Sequence, residues 1–323
     1  MIEKTKWGIL GCSRIARSAL IPALQESDQT ELVGIASRNP QIAQDWSNEF
    51  ELPRSYEGYG HLLSDPDLDV VYIGLPNHLH CEWTQAAARS GKHVLCDKPL
   101  ACNLDEAETM AACCNQNNVL LMEGFMWRHH PRTQRLLDWI DQGKIGALRM
   151  IRYSFALEMP PDDWRWKATS GGGALWDVGC YGVNTARLLC GSEPQQVQAL
   201  TYKGQRGVDV TTVTALRFPD DVLVQIDCSF APPFRYRVEI IGSRATLLVT
   251  RDSLSGPPPR LFHCLGDQVE PIEFGDGNQF RLMVEHFSEA IRTGSGLTAP
   301  AENGVANMRV LDRIIAACAV QTG

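Results

Sequence analysis

The 323-residue sequence has no surplus of basic residues, no long apolar run, no C-x-x-C spacing and no internal repeat or low-complexity stretch. Its 30 lysines and arginines are outnumbered by 38 aspartates and glutamates, giving a formal net charge of -8. A net acidic chain without a basic patch does not attract a polyanion, which sets aside nucleic acid and anionic membrane surfaces as partners. No uninterrupted apolar stretch approaches the roughly 20 residues that span a bilayer. The opening MIEKTKWGILG has no charged start followed by an apolar core and a cleavage site, so no secretory signal is expected. The 11 cysteines are odd in number and scattered, and Cys113 and Cys114 are neighbours in a helix-like run. That suits reduced thiols in a cytoplasm better than a disulfide framework.

What is present is 44% hydrophobic residues over a length sufficient for two domains. In the first third, WGILG, ELVGIA, DVVYIGLP, HVLCDKP and VLLMEGF read as strands. SALIPALQES, QIAQDWSNEF, HCEWTQAAARSG and LDEAETMAACCNQN read as helices between them. Asn103 is placed to start the last of these helices, and Gly91 to stop the one before it. The alternation predicts a doubly wound parallel sheet with helices on both faces, residues 1–125. Beyond it come a helix from His129 to Asp141, the strand MIRYSFALEM and a helix near Gly171. From about Gln196 to Phe274 a run of alternating strands is broken at Asp220-Asp221, Gly242 and the Gly-Pro-Pro-Pro at 256–259; helices over Phe280–Thr293 and Glu302–Ala319 follow. Residues 126–323 therefore read as an α+β domain with an open-faced, mostly antiparallel sheet.

Gly11-Cys12-Ser13-Arg14-Ile15-Ala16 lies between the first strand and the first helix. It is a G-x-G-x-x-G/A fingerprint with Ser13 in the second glycine position and Ala16 in the third. The first glycine permits the tight turn, and the helix start offers N–H groups to a pyrophosphate. The second strand ends in Ser37 and Arg38, where a site for NAD usually places a carboxylate on the ribose. A hydroxyl and a guanidinium suit a 2′-phosphate instead, so the expected cofactor is NADP.

Two further segments stand at carboxyl ends of parallel strands: Leu75-Pro76-Asn77-His78-Leu79-His80 and Cys96-Asp97-Lys98-Pro99. A lysine there can project into a cleft and lower the pKa of a nearby hydroxyl. The His78/His80 and His129/His130 pairs have no third ligand at a metal-like spacing, so no metal is expected. In the second domain, three glycines (Gly171, Gly172, Gly173) precede Asp177 and Tyr181, which are four apart and point from one face of an α-helix. A phenol with a pKa of about 10 needs a neighbouring cation to act as a base near neutrality, and Lys98 can supply it.

With these residues in view, the chain resembles the glucose-fructose oxidoreductase / inositol dehydrogenase superfamily over nearly its whole length. The resemblance rests on WGILG-C-S-R-IA, PNHLH, DKPL, EGFMWRHHP, GGGALWDVGCYGVNTARLLCG and EIIGSRATL. It implies a Rossmann domain followed by an open-faced sheet domain. It also implies that Lys98 is the lysine of the E-K-P motif, with Asp97 in place of glutamate. The D-x-G-x-Y pattern at Asp177–Tyr181 is similar to the branch of glucose-fructose oxidoreductase, NADP-dependent xylose dehydrogenase and dimeric dihydrodiol dehydrogenase. In that branch the tyrosine is the acid/base, and the aspartate lines the substrate or nicotinamide pocket.

The expected cofactor-lining residues are Gly11, Ser13, Arg14, Ile15, Ser37, Arg38, Leu75, Asn77, His80, Asp97 and Lys98. The expected catalytic residues are Lys98, Tyr181 and Asp177. Trp127, Arg128, Trp164, Arg165 and Trp166 are expected to border a sugar or cyclic diol, with core packing the competing reading for each tryptophan. The expected activity is NADP-dependent hydride transfer at a CH–OH carbon of a sugar. A keto-sugar reductase using the same site is one alternative; a non-catalytic NADP-binding sensor, which would need neither Lys98 nor Tyr181, is another. The open sheet face, with VTTVTALRF and VLVQIDCSF on it, is expected to form a homodimer.

Overall fold

Six of the short strands form one parallel sheet: β1 (Thr5–Leu10), β2 (Thr30–Ala36), β3 (Arg54–Tyr56), β4 (Val70–Ile73), β5 (His93–Cys96) and β6 (Leu121–Glu123). Their order across the sheet is β3-β2-β1-β4-β5-β6, and every neighbouring pair is parallel. Trp7, Ile9 and Leu10 of β1 and all four residues of β4 are buried, the continuous burial of strands covered on both faces. The strand order reverses between β1 and β4, and ligands bind at the carboxyl ends of such a pair. The helices are α1 (Ile21–Glu26), α2 (Pro40–Glu49), α3 (Tyr59–Leu63), α4 (His80–Arg89) and α5 (Leu104–Gln116). Asn103 caps α5 by accepting from Glu106 N–H at 2.8 Å, and Gly91 follows α4 with φ +73°, the left-handed stop expected of it.

The computed structural model describes residues 3–231, 233–253 and 258–319. The chain divides into two units, residues 1–130 with 277–305 and residues 131–276 with 306–323. In the second unit, α6 (Pro131–Asp141) precedes β7 (Leu148–Ala156), and α7 (Cys180–Cys190) follows the triple glycine. Then come β8 (Gln196–Lys203), β9 (Asp209–Arg217), β10 (Leu223–Ser229), β11 (Arg235–Gly242), β12 (Thr246–Arg251), β13 (Arg260–Leu265) and β14 (Gln268–Pro271). The sheet runs β14-β13-β12-β11-β7-β10-β9-β8; β7 and β10 are parallel and every other pair is antiparallel. Asp220 and Asp221 have φ +57° and +56°, the left-handed conformation that turns the chain between β9 and β10, where Phe218 N–H donates to Val222 O at 2.9 Å across a three-residue loop. Of the Gly-Pro-Pro-Pro break, Gly256 and Pro257 lie outside the described residues.

One face of this sheet buries Thr212, Thr214, Leu216, Val224, Ile226 and Cys228. The helical segment from Leu175 onward closes on it through Gly179 and Gly182. A β-carbon at Gly182 would stand 2.7 Å from Ile226 Cγ2 and 2.8 Å from Tyr153 Cδ1. On the other face Leu200 and Tyr202 are 64% and 67% exposed, with Val213 and Leu223 also exposed.

The first unit regains residues 277–305, which carry α8 (Gln279–Thr293) and the start of α9 (Ala301–Ala319). Phe287 packs edge-on against Trp7 at 5.9 Å, and the Trp7 indole N–H donates to Ser288 Oγ at 3.2 Å. Burying one such aromatic side chain is worth about 1.5–3 kcal/mol, and Met283 and Val284 of α8 join Phe287 in the same buried cluster as Trp7. Among the described residues no helix is long and apolar enough to cross a membrane. All eleven cysteines stand outside disulfides.

Candidate active site

The turn after β1 is built around Gly11, whose φ is +98° and whose β-carbon would fall 2.6 Å from Leu75 Cδ2. Only glycine combines that conformation with that approach. Ser13 Oγ accepts from Ala16 N–H at 3.2 Å, so the serine in the second glycine position caps the helix that follows. Its room comes from across the crevice, where a β-carbon on Gly74 would lie 2.9 Å from that same oxygen. The helix opens with a π turn, Ala16–Leu20, before α1; Arg14 is exposed and Ile15 partly buried ahead of it. Burial pushes the Cys12 thiol up to about 11, against a hydrogen bond to Ser37. Ser37 is buried and its Oγ accepts from Asn39 N–H at 3.2 Å, whereas Arg38 is exposed, with the Tyr59 phenol against its backbone.

At the ends of β4 and β5, Leu75 and Asn77 are buried and Lys98 is half-buried. The Lys98–Pro99 peptide is cis. Asp97 Oδ1 accepts from Lys98 N–H at 2.8 Å, so the aspartate in the glutamate's place is tied to the lysine's own backbone. His80 is fully buried, with Nδ1 3.0 Å from Pro99 O and Nε2 2.8 Å from Leu75 O. Burial holds its pKa below the ordinary value, with Asp97 acting in the opposite direction. Both ring partners are carbonyl oxygens, so a neutral ring donates its single N–H to one of them at a time, to Pro99 O in the Nδ1–H tautomer and to Leu75 O in the Nε2–H tautomer. Glu123, buried at the end of β6, accepts from Leu100 N–H through Oε1 at 2.9 Å. Arg128 donates to Thr298 O at 3.0 Å, and Trp127 precedes it in a short 3₁₀ turn.

In the second unit the three glycines have three separate reasons. Gly171 has φ +71°; a β-carbon on Gly172 would lie 2.2 Å from Arg165 O; and one on Gly173, at φ +129°, would lie 2.0 Å from Asp209 Oδ1. Asp209 in turn accepts from Leu175 N–H at 2.7 Å and from Thr212 Oγ1 at 3.1 Å, capping the helical segment that carries Asp177. Burial raises its carboxyl pKa. Residues Leu175–Gly179 form a π turn before α7, so the α-helical spacing that put Asp177 and Tyr181 on one face does not hold through Asp177. Their neighbours differ accordingly. The Asp177 carboxylate accepts from Arg165 Nε at 3.0 Å, while the Tyr181 ring lies edge-on to Phe155 at 6.2 Å.

Arg165 also donates to Asp163 Oδ1 at 3.1 Å and lies over the Trp164 ring at 4.6 Å. Two carboxylates raise its pKa despite burial. One face of Trp164 is therefore covered by a guanidinium. Trp166 turns elsewhere, donating to Pro160 O at 2.9 Å and packing on Phe230 at 5.3 Å. Among the described residues no group of three or more His, Cys, Asp or Glu could hold a metal. Asp209 and Glu123 are the residues that reading the sequence did not single out. Each acts on a segment more than twenty residues away, and no local spacing announces that.

Compared with known proteins, residues 5–125 match the model of the Gfo/Idh/MocA oxidoreductase family, NAD-binding Rossmann fold, and residues 133–248 match its C-terminal domain. A D-xylose 1-dehydrogenase (NADP(+)) from Haloferax volcanii is 34% identical over 312 residues, covering 95% of each chain. A dTDP-3,4-didehydro-2,6-dideoxy-alpha-D-glucose 3-reductase from Actinomadura kijaniata is 33% identical over 313 residues, covering 95% of this chain and 93% of its own. Among solved structures, an aldose-aldose oxidoreductase from Caulobacter crescentus complexed with glycerol has a TM-score of 0.92 at 27% identity. A 3-ketoreductase from Actinomadura kijaniata with NADP and TDP-benzene has 0.91 at 31%. Each comparison covers 98% of both chains.

Proposed function

The chain belongs to the Gfo/Idh/MocA oxidoreductase family, and we propose that it is an NADP(H)-dependent dehydrogenase acting on a CH–OH carbon of a sugar. The observation that carries this reading is that the candidate acid/base and its helper both stand on fixed supports. Lys98 sits on a loop held by buried polar groups, and Tyr181 follows a helical segment capped by Asp209. A sensor that only bound the nucleotide would need neither.

The donor set at the end of β2 fits a 2′-phosphate: the Ser37 hydroxyl and the exposed Arg38 guanidinium, with no carboxylate in the segment Gly34–Asn39. Gly11, Ser13, Arg14 and Ile15 would face the pyrophosphate; Leu75, Asn77, Asp97 and Lys98 would border the nicotinamide end. When bound, NADP+ supplies the hydride acceptor. Tyr181 takes the hydroxyl proton as the carbinol is oxidised, and the Lys98 ammonium lowers the phenol's pKa for that task. Asp177, anchored by Arg165, orients the hydroxyl. Trp164, Arg165, Trp127 and Arg128 border the sugar ring. Reduction of a keto sugar uses the same groups in reverse, and the 3-reductases among the relatives favour testing it. The exposed sheet face with Leu200, Tyr202, Val213 and Leu223 serves a homodimer, and eleven cysteines outside disulfides suit a reducing cytoplasm.

The test is to mix the purified protein with NADP+ and a panel of aldoses and dihydrodiols, and with NADPH and keto sugars, following absorbance of the reduced nicotinamide. Turnover of at least one sugar is expected. Binding of NADPH without turnover of any panel member would move the protein to the sensor reading.

A further inference from the structure

Lys98 lies beyond β5, outside any helix or strand, yet side chains from three directions hold the backbone around it. Its own N–H donates to Asp97 Oδ1. Its neighbour's carbonyl, Pro99 O, is 3.0 Å from His80 Nδ1, and the next amide, Leu100 N–H, donates to Glu123 Oε1 at 2.9 Å. His80 comes from the first turn of α4 and also meets Leu75 O on the loop after β4. Glu123 comes from the end of β6. The start of α9 closes a further side, since a β-carbon on Gly304 would lie 2.7 Å from Leu100 Cδ2.

His80 and Glu123 are 0% and 2% exposed. Burying an imidazole and a carboxyl group is costly unless they are hydrogen-bonded, and apolar side chains would fill the same space more cheaply. What the polar pair adds is direction. Hydrogen bonds to Pro99 O and Leu100 N–H fix the two backbone groups that follow Lys98, where apolar packing alone would let an irregular loop slide. A cation that tunes a phenol has to be held within about half an ångström of its working place.

We propose that His80 and Glu123 are positioning residues for Lys98, touching neither cofactor nor substrate and acting through the placement of its ammonium group. This gives His80 a different task from the cofactor contact expected of it. The inference rests on the reading of Lys98 as the electrostatic helper of Tyr181.

The test uses the full-length protein and its best substrate. His80→Leu, His80→Gln, Glu123→Leu and Glu123→Gln are made alone, and His80→Gln and Glu123→Gln are also combined with Lys98→Met. Each leucine variant should lower kcat about tenfold or more, while the KM for substrate and the Kd for NADPH stay within about threefold. Each glutamine variant should recover part of the loss, because an amide still donates toward Pro99 O or accepts from Leu100 N–H. Added to Lys98→Met, the glutamine substitutions should cost nothing further, since the group they act through is gone. Losses that multiply in the Lys98→Met background would overturn the proposal, as would equal kcat for leucine and glutamine at both positions. Should the leucine variants fail to fold, the combinations with Lys98→Met decide alone. A Lys98→Met protein with native turnover would instead overturn the reading of Lys98, a result separate from either of these.

Discussion

Asp209 Oδ1 occupies the place where a β-carbon on Gly173 would stand, 2.0 Å from that point. The carboxylate thereby reaches Leu175 N–H at 2.7 Å and caps the helical segment leading to Tyr181. Gly173→Ala adds a clash to a φ of +129° and should destabilise the protein by on the order of 3 kcal/mol. Adding Asp209→Ala opens the space again, so the double variant should lose less than the sum of the single losses. Urea denaturation of the four proteins measures this; strictly additive losses would mean the two residues do not share the space.

The buried Asp209 also makes stability depend on pH. Its folded pKa is raised by burial, so the folded state holds the proton more tightly than the unfolded chain does. The contribution is full below the ordinary carboxylate range and is lost as pH rises through the raised value. Asp209→Asn has no proton to lose there. Its stability relative to the native protein should therefore rise with pH across that window, read from thermal melts at a series of pH values. A pH-independent difference would remove Asp209 from the titration.

For the chemistry, Tyr181→Phe removes one hydroxyl from a ring that packs edge-on to Phe155. Turnover should fall by about a hundredfold or more, the usual scale for a positioned acid/base, while stabilisation by NADPH persists. A Tyr181→Phe enzyme at native rate would make the tyrosine a packing residue.

Cofactor choice has its own measurement. NADPH should raise the Tm more than NADH does, and Arg38→Ala should shrink that difference. Equal shifts with both nucleotides in the unmodified protein would count against the 2′-phosphate reading.

For assembly, light scattering should report a dimer at micromolar concentration. Val213→Glu, on the exposed sheet face, should shift it toward monomer while changing the unfolding free energy of the monomeric fold by no more than about 0.5 kcal/mol, the usual range for surface substitutions. A monomer in the unmodified protein would assign Leu200, Tyr202 and Val213 to another use.

The parallel sheet was legible because β1 and β4 are buried on both faces and so read as unbroken apolar runs. The second sheet was legible because residues such as Val224 and Ile226 are buried while Leu223 and Gln225 between and beside them are exposed. Asn103 announced its helix through a side chain acting three residues on. What stayed hidden depends on distance or on brevity. β3 has three residues and α3 five, too few for a period to show. The π turn at Leu175–Gly179 changes helical spacing without a proline to mark it. Ser13 reads as a lost glycine until Gly74, sixty-one positions later, is found making room for it. Asp209 and Glu123 serve segments far from their own, and α8 packs on β1 across nearly the whole chain.

That last contact orders events during synthesis. The Trp7 indole waits for Ser288, 281 residues downstream, before its N–H has a partner. At roughly 5–20 residues per second, the first strand leaves the ribosome on the order of tens of seconds ahead of the helix that covers it. Through that interval the nascent nucleotide-binding sheet carries an open apolar flank, with Trp7 at its centre and Phe287 not yet made. A chaperone that shields apolar surface on the growing chain would have its longest task there, and a ribosome stalled before residue 277 would present that flank indefinitely.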